Sequence, residues 1–251
     1  MPGFVSHMVM ARDVYKKIDN NKVNLDYMMT YALGGDLCKY AKCRYDSHHK
    51  DMDRFIYTMA DYIRDNNLID DKDIMGVLYG HICHYMMDSM IHPLVRIIDK
   101  NCLNNKNNHR LIEEYYDNYL VKERYNIKKK DYLKKGILKA KRNKKIARML
   151  DYVYKEVYDT GNVSKYYRFN LFLYRILSKV YIIFSTKIIE KVTGLNKFLE
   201  KNKINLCNDN NKYNYQDYLK KECNESLIFL YDDSVIVASE YIKNINKYLK
   251  I

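Results

Sequence analysis

The sequence contains few residues that interrupt helices and lacks tryptophan altogether. Its 251 residues include 8 Gly, 2 Pro and no Trp. So few turn-forming residues exclude an architecture of many short strands and favour helices. Apolar residues recur at helical spacing, and no strand-like alternation persists. We predict an all-α bundle with a polar loop over 202–215 and helices over about 5–18, 24–33, 50–66, 71–90, 109–123, 130–158, 165–193 and 225–249.

Signals for export, membrane spanning and cysteine clustering are also missing. The first residues lack a basic segment followed by an apolar one, so no signal peptide is recognisable. The most apolar stretch, 169–184, is interrupted by Arg175 and Lys179 and falls short of the roughly 20 residues of a spanning helix. None of the six cysteines forms a Cys-x-x-Cys motif. We expect a cytoplasmic protein with reduced thiols, in which 169–184 is a core or interface helix.

Positive charge is concentrated in the second half of the chain. The net charge is +13, yet residues 1–120 hold 15 Lys and Arg against 17 Asp and Glu. The stretch 122–148 holds 13 basic and two acidic residues. Such a stretch could contact an anionic membrane or nucleic acid. A solvated helix face is the favoured interpretation, because apolar residues recur among the lysines at helical spacing, at Ile137, Leu138, Ile146 and Leu150.

Histidine is absent beyond residue 109, although the chain contains seven. On a helix over 74–91, at about 100° per residue, one stripe of polar side chains comprises His81, His84, Asp88 and His92. Imidazole nitrogen and carboxylate oxygen are ligands that Zn²⁺ prefers. Burying these groups without a metal would cost several kcal/mol. We predict a multinuclear metal site, with hydrogen-bonded core histidines as the alternative. Pro93 predicts that the helix ends near His92.

Two further groups extend this constellation. His109 and Glu113 repeat the i, i+4 spacing on the next helix. Asp36 follows two glycines, whose backbone freedom could bring its carboxylate close to a metal. A role for Asp36 as a helix or turn cap is equally compatible with the sequence.

The same residues resemble the zinc-dependent phospholipase C family, which shares its all-α fold with fungal single-strand nucleases. The similar segments are Met1–Phe4 with His7, Tyr31–Asp36, His48–His49 leading to Phe55, Gly80–Pro93 and Asn224–Leu227. The bacterial intracellular branch is similar over close to the whole chain. The resemblance implies one phospholipase C-like multi-helix domain over 1–251, with a metal-ligand half at about 1–123 and a basic helical half at about 124–251.

The resemblance also implies two or three zinc ions and their ligands. One ion would be bound by Asp36, His48, His84 and Asp88, with Asp88 bridging to another. The second would be bound by His92, His109 and Glu113, and a third by His7 with Asp88. His48 is preferred to His49 because its distance to Phe55 matches the family spacing. His81 is not a usual family ligand and is expected to support a ligand or to lie in the core.

The chain departs from the family in three respects. Secreted members use an N-terminal Trp whose amine and carbonyl bind metal, and this chain has no Trp. Relatives often carry Asp-Pro after the glycine before Asp36, where this chain has Gly-Gly-Asp-Leu at 34–37. The Lys-rich second half is also unlike that of an enzyme specialised for choline phospholipids.

The predicted reaction is hydrolysis of a phosphodiester by a zinc-activated water, whose pKa is lowered towards ~7. Phospholipase C-like removal of a phospholipid headgroup is the leading candidate. Asp36 would be a metal ligand or the general base. Three carboxylates, from Asp36, Asp88 and Glu113, would leave a site with two or three Zn²⁺ net positive, as an anionic substrate requires.

Three alternatives remain open from the sequence. A nuclease or nucleotide phosphodiesterase on the same fold is slightly favoured by the basic stretch 122–148, but the chain lacks Trp, the strongest stacking residue. A non-catalytic relative would keep zinc for stability and bind lipid or a partner. The His-Asp-motif phosphohydrolases are disfavoured, because no His is adjacent to an Asp. The headgroup and the oligomeric state stay open.

Overall fold

A computed structural model describes residues 3–38, 51–102, 108–135, 138–180, 182 and 227–251, with only the backbone for 97–102 and 108–111. Its helices are α1 (Phe4–Lys17), α2 (Leu25–Tyr31), α3 (Met52–Asp65), α4 (Lys72–Cys102), α5 (Asn108–Tyr125), α6 (Lys129–Lys134), α7 (Lys144–Tyr158), α8 (163–180) and α9 (Leu227–Leu249). Short 3₁₀ helices span Asn20–Lys22 and Gly34–Cys38. The described residues contain no strand, which confirms the all-α prediction.

Helix α4 is the central element, and α1, α2 and α9 pack around it. Asp71 caps its first turn, because Oδ1 of this residue accepts hydrogen bonds from the backbone N–H groups of Asp73 and Ile74. A Cβ at Gly76 would lie 2.7 Å from the Asn24 carbonyl oxygen, and one at Gly80 would lie 2.6 Å from that of Met28. Both glycines are therefore needed for the close approach of α2 to α4.

The predicted end of this helix near His92 is wrong, because α4 continues through Pro93 to Cys102. A proline within a helix removes one backbone hydrogen bond and strains the residue before it. Ile91, Leu94 and Val95 are buried on both sides of the proline. Burial of these side chains offsets the local cost of the proline, so the helix continues past it.

The predicted helix over 130–158 is also wrong, because the structure divides it into α6 and α7. Leu138 has φ 59°, which is incompatible with a continuous α-helix. The side chain of Asn143 then accepts a hydrogen bond from the Lys145 N–H and starts α7. The guanidinium of Arg175 donates to the carbonyls of Leu138 and Ala140 and fastens the non-helical segment to α8.

The remaining helices agree with the sequence to within a few residues where they are described. Helix α8 is described over 163–180, and residues 183–193 of the predicted helix lie outside the described part of the chain, as does the predicted loop over 202–215. Cys38 and Cys83 are both buried. Among the described residues, no helix combines the length and apolarity that crossing a bilayer requires.

Candidate metal centre

Helix α1, the 3₁₀ helix at Gly34–Cys38 and helix α4 bring three predicted ligands together. One ligand atom each from His7, Asp36 and His84 lies within 4.8 Å of the other two. All three side chains are buried, and the two imidazole rings lie 4.7 Å apart between centroids. The sequence separates these residues widely, so their convergence is a product of the fold.

Asp88 lies at the centre of this group. Its Oδ1 is 3.3 Å from His7 Nε2 and 3.8 Å from His92 Nε2, and its Oδ2 is 3.5 Å from His84 Nε2. One carboxylate thus faces three imidazoles through both of its oxygens. Such an arrangement suits a carboxylate that bridges two metal ions.

The orientation of His84 is fixed by the turn that carries Asp36. Its Nδ1 lies 3.2 Å from the Ala32 carbonyl oxygen, so Nδ1–H donates to that oxygen and Nε2 presents its lone pair towards Asp88. Gly34 makes this approach possible. It has φ +40°, and a Cβ there would lie 2.3 Å from the His84 ring.

The donor set fits a divalent cation on electrostatic grounds. Both ring nitrogens of His7 are buried and make no hydrogen bond within the described residues. Burial raises the pKa of Asp36 to about 8, with a further contribution from the Asp88 carboxylate. A bound cation would satisfy His7 and stabilise both carboxylates, and these nitrogen and oxygen donors are those that Zn²⁺ takes.

The comparison with known families agrees with this geometry. The family model described as zinc dependent phospholipase C matches residues 6–161. The chain belongs to the zinc-dependent phospholipase C family. All eight predicted ligands lie within the matched residues, whereas α8 and α9 lie beyond them. Neither a curated protein nor a solved structure is significantly similar to the chain.

The predicted ligands that the structure describes can be compared with the family-based assignment. His7 lies 3.3 Å from Asp88, the residue with which that assignment paired it, and also lies close to Asp36 and His84. Glu113 is partly buried on α5, close enough for its charge to raise the pKa of Asp36. For His109 only the helical backbone is described, and His48 and His49 lie outside the described residues. The division of ligands among individual zinc ions stays a prediction.

A buried ion-pair network anchors the helix that carries His7. Asp117 Oδ1 accepts hydrogen bonds from the backbone N–H and the hydroxyl of Ser6, in the first turn of α1. Its Oδ2 lies 2.8 Å from Lys129 Nζ, which also contacts Glu114 at 2.7 Å. Burial lowers the pKa of Lys129, but the two carboxylates more than offset this and raise it.

Local sequence does not indicate this anchor, because Lys129 belongs to the basic stretch interpreted as a solvated helix face. In the structure its side chain is only 1% exposed. Asp117 lies four residues after Glu113 and therefore one turn further along α5. This position next to a predicted ligand is the feature of the sequence that points to Asp117. We refer to Ser6, Glu114, Asp117 and Lys129 as the α1 anchor.

His81 lies one turn before His84 but belongs to the hydrophobic core. Its Nδ1–H donates to the Val77 carbonyl, and its Nε2 accepts from the Tyr167 hydroxyl at 2.8 Å. Tyr167 in turn lies within hydrogen-bond distance of Tyr154. Burial lowers the pKa of His81 to about 4, so the ring is neutral at physiological pH. These contacts agree with the core alternative for this residue.

Proposed function

We propose that this chain is a zinc-dependent phosphodiester hydrolase that removes the headgroup of a phospholipid. The observation that carries the proposal is Asp88, a buried carboxylate facing His7, His84 and His92 within 3.8 Å. Membership of the zinc-dependent phospholipase C family supports the same reaction class. The proposed ligands are His7, Asp36, His48, His84, Asp88, His92, His109 and Glu113.

Zinc ions bound here would supply Lewis-acid stabilisation of the phosphodiester and a water of lowered pKa. Asp88 would be the ligand shared by the group of imidazoles that it faces. His84 would be oriented by its hydrogen bond to the Ala32 carbonyl. Asp36 is the candidate catalytic residue, because its carboxylate is buried within reach of the ligand atoms of His7 and His84. It would act as a metal ligand or as the general base.

Phospholipid is favoured over nucleic acid as the substrate because part of the basic stretch is neutralised by ion pairs within the protein. Arg124 pairs with Asp232, Lys145 pairs with Asp71, and Lys129 is buried in the α1 anchor. Charges that are paired within the protein are less available to the phosphate groups of a long polyanion. Contact of 122–148 with an anionic membrane stays a prediction.

The test is a substrate panel on protein purified without chelators and reconstituted with zinc. The panel comprises bis(p-nitrophenyl) phosphate, monomeric dihexanoyl phospholipids with different headgroups, and a single-stranded oligonucleotide. We expect diacylglycerol and a phosphorylated headgroup from at least one phospholipid, with Asp88→Asn as the inactive control. Cleavage of the oligonucleotide alone would show a nuclease. Bound zinc without turnover of any substrate would show a non-catalytic zinc protein.

A further inference from the structure

Helix α8 connects the metal centre to the protein surface. On its buried side, Asn170 Nδ2 donates to the carbonyl of Leu37, the residue after Asp36, at 2.8 Å. The ring of Tyr174 packs on Phe4, at the start of the helix that carries His7, with 5.6 Å between centroids. Helix α8 thus contacts two of the elements that position the ligands.

The opposite side of α8 carries large apolar side chains in contact with solvent. Phe172 is 57% exposed, Ile176 40% and Val180 42%. At about 100° per residue, these three side chains lie within about 80° of one another and face away from the buried Tyr167 and Ser178. Scattered exposed apolar residues are normal, but several on one helical face indicate an interaction surface. We call Phe172, Ile176 and Val180 the α8 stripe.

The charged residues of α8 are all basic. Residues 163–180 include no Asp or Glu, and Lys165, Arg168 and Lys179 are exposed on the edge of the stripe. Arg175 donates to the carbonyls of Leu138 and Ala140 and is not counted among them. An exposed apolar face bordered by cations is the pattern of helices that lie in the headgroup region of anionic membranes.

We propose that the α8 stripe docks the protein onto an anionic phospholipid surface and thereby holds the metal centre against its substrate. This inference rests on the proposed function and adds the surface through which the lipid is reached. A second copy of the chain is a poorer occupant, because two-fold pairing of the stripe would bring like charges together. Since α8 lies beyond residues 6–161, the match to the family model does not account for this surface.

The test is co-sedimentation of the zinc-loaded full chain with two kinds of vesicle, phosphatidylcholine alone and phosphatidylcholine with phosphatidylglycerol. The stripe variant is Phe172→Ser with Ile176→Ser. The matched control is Ile236→Ser with Val237→Ser, which removes two exposed apolar side chains from α9. We expect the parent to bind the anionic vesicles, the stripe variant to bind at least about tenfold more weakly, and the control to bind like the parent.

A second variant tests whether the cations of α8 contribute to the binding of anionic vesicles. Lys165→Gln with Lys179→Gln removes two exposed cations, each of which should contribute about fivefold to binding of anionic vesicles. We expect a loss of more than tenfold on vesicles containing phosphatidylglycerol and little change on phosphatidylcholine alone. Absence of parental binding, or equal binding by parent and stripe variant, would overturn the proposal. So would a dimeric parent that the stripe variant converts to a monomer in size-exclusion chromatography.

Turnover assays keep this proposal distinguishable from the proposed function. The stripe variant should retain the parent's zinc content and its activity on bis(p-nitrophenyl) phosphate, while losing activity on phospholipid vesicles. A parent that binds vesicles but hydrolyses no substrate would contradict the proposed function and leave docking intact. A parent that hydrolyses monomeric phospholipid without binding vesicles would support the proposed function and contradict docking.

Discussion

The histidines at the metal centre and in the core illustrate two ways to bury an imidazole. His7 and His81 are both fully buried. The two ring nitrogens of His81 bond to Val77 and Tyr167, so the protein alone satisfies this ring. Neither ring nitrogen of His7 makes a hydrogen bond within the described residues, and Nε2 faces the Asp88 carboxylate.

This difference separates a structural role from a ligand role without reference to sequence similarity. A buried polar group that lacks a hydrogen bond costs free energy, and folded proteins rarely keep one without a reason. The α1 anchor maintains this arrangement, because a buried ion pair holds the first turn of α1 against α5 and α6. The fold therefore maintains an unfavourable arrangement at His7, as expected where a metal ion compensates.

Removal of the central carboxylate should have the largest effect. Asp88→Ala leaves the imidazoles without the group that faces all three of them, so metal binding should be lost. We expect phosphodiesterase activity to fall at least about a thousandfold while the helical circular dichroism spectrum is retained. Zinc content and turnover of bis(p-nitrophenyl) phosphate measure this. Retained zinc together with retained turnover would remove Asp88 from the centre.

Breaking the α1 anchor should lower the stability of the whole fold. Asp117→Ala leaves Lys129 buried with one partly exposed carboxylate and removes the hydrogen bonds to Ser6, so we expect a loss of about 4 kcal/mol. The matched control is Asp131→Ala, which breaks an exposed pair with Lys134 and should cost less than about 1 kcal/mol. Urea denaturation measures both variants. Equal midpoints would show that the anchor contributes nothing beyond a surface pair.

Protonation of the buried His81 should lower the stability of the protein in a defined pH range. The folded pKa of His81 is about 4, below the unfolded value near 6.5, so the unfolded state binds more protons between these values. The contribution of His81 to stability is complete above pH about 6.5 and falls as the pH decreases to about 4. The loss is on the order of 3 kcal/mol. His81→Gln should flatten this part of the pH–stability curve, and an unchanged difference between parent and variant across the window would argue against burial of a neutral ring.

The paired variants His7→Leu and His81→Leu compare the two histidines directly. His81→Leu removes a partner of Tyr167 and should destabilise the protein by about 2 kcal/mol, with zinc content unchanged. The ring nitrogens of His7 make no hydrogen bond within the described residues, and His7→Leu puts an apolar side chain in place of this ring. The zinc-free variant should therefore be as stable as the zinc-free parent or more stable. Its zinc affinity should fall. Thermal unfolding with and without zinc distinguishes the two, and equal behaviour of both variants would contradict the comparison.

Periodicity predicted most of the fold and the α4 part of the site. The stripe of His84, Asp88 and His92 follows from the geometry of one helix, so sequence alone could predict it. Two predictions failed because local signals were outweighed. Burial around Pro93 keeps α4 helical, and Leu138 is buried in a left-handed conformation that apolar spacing does not distinguish from a helix.

The long-range part of the site was beyond sequence reasoning from spacing. The approach of His7 to Asp88 depends on the packing of α1 against α4, and Asp36 reaches the cluster through the turn at Gly34. The Asp117–Lys129 pair looked like ordinary solvated charges, since nothing local marks a lysine as buried. Residue type and spacing thus identified candidate ligands, whereas their supports required three-dimensional information.

Metal stoichiometry tests the central claim most directly. Elemental mass spectrometry on tag-free protein, purified without chelators and then reconstituted with zinc, should give two or three zinc ions per chain. The number should fall in His84→Ala and Asp88→Ala and stay unchanged in His81→Leu. An absence of zinc in the reconstituted parent would contradict the account, and the buried cluster around Asp88 would then be a polar core without a metal.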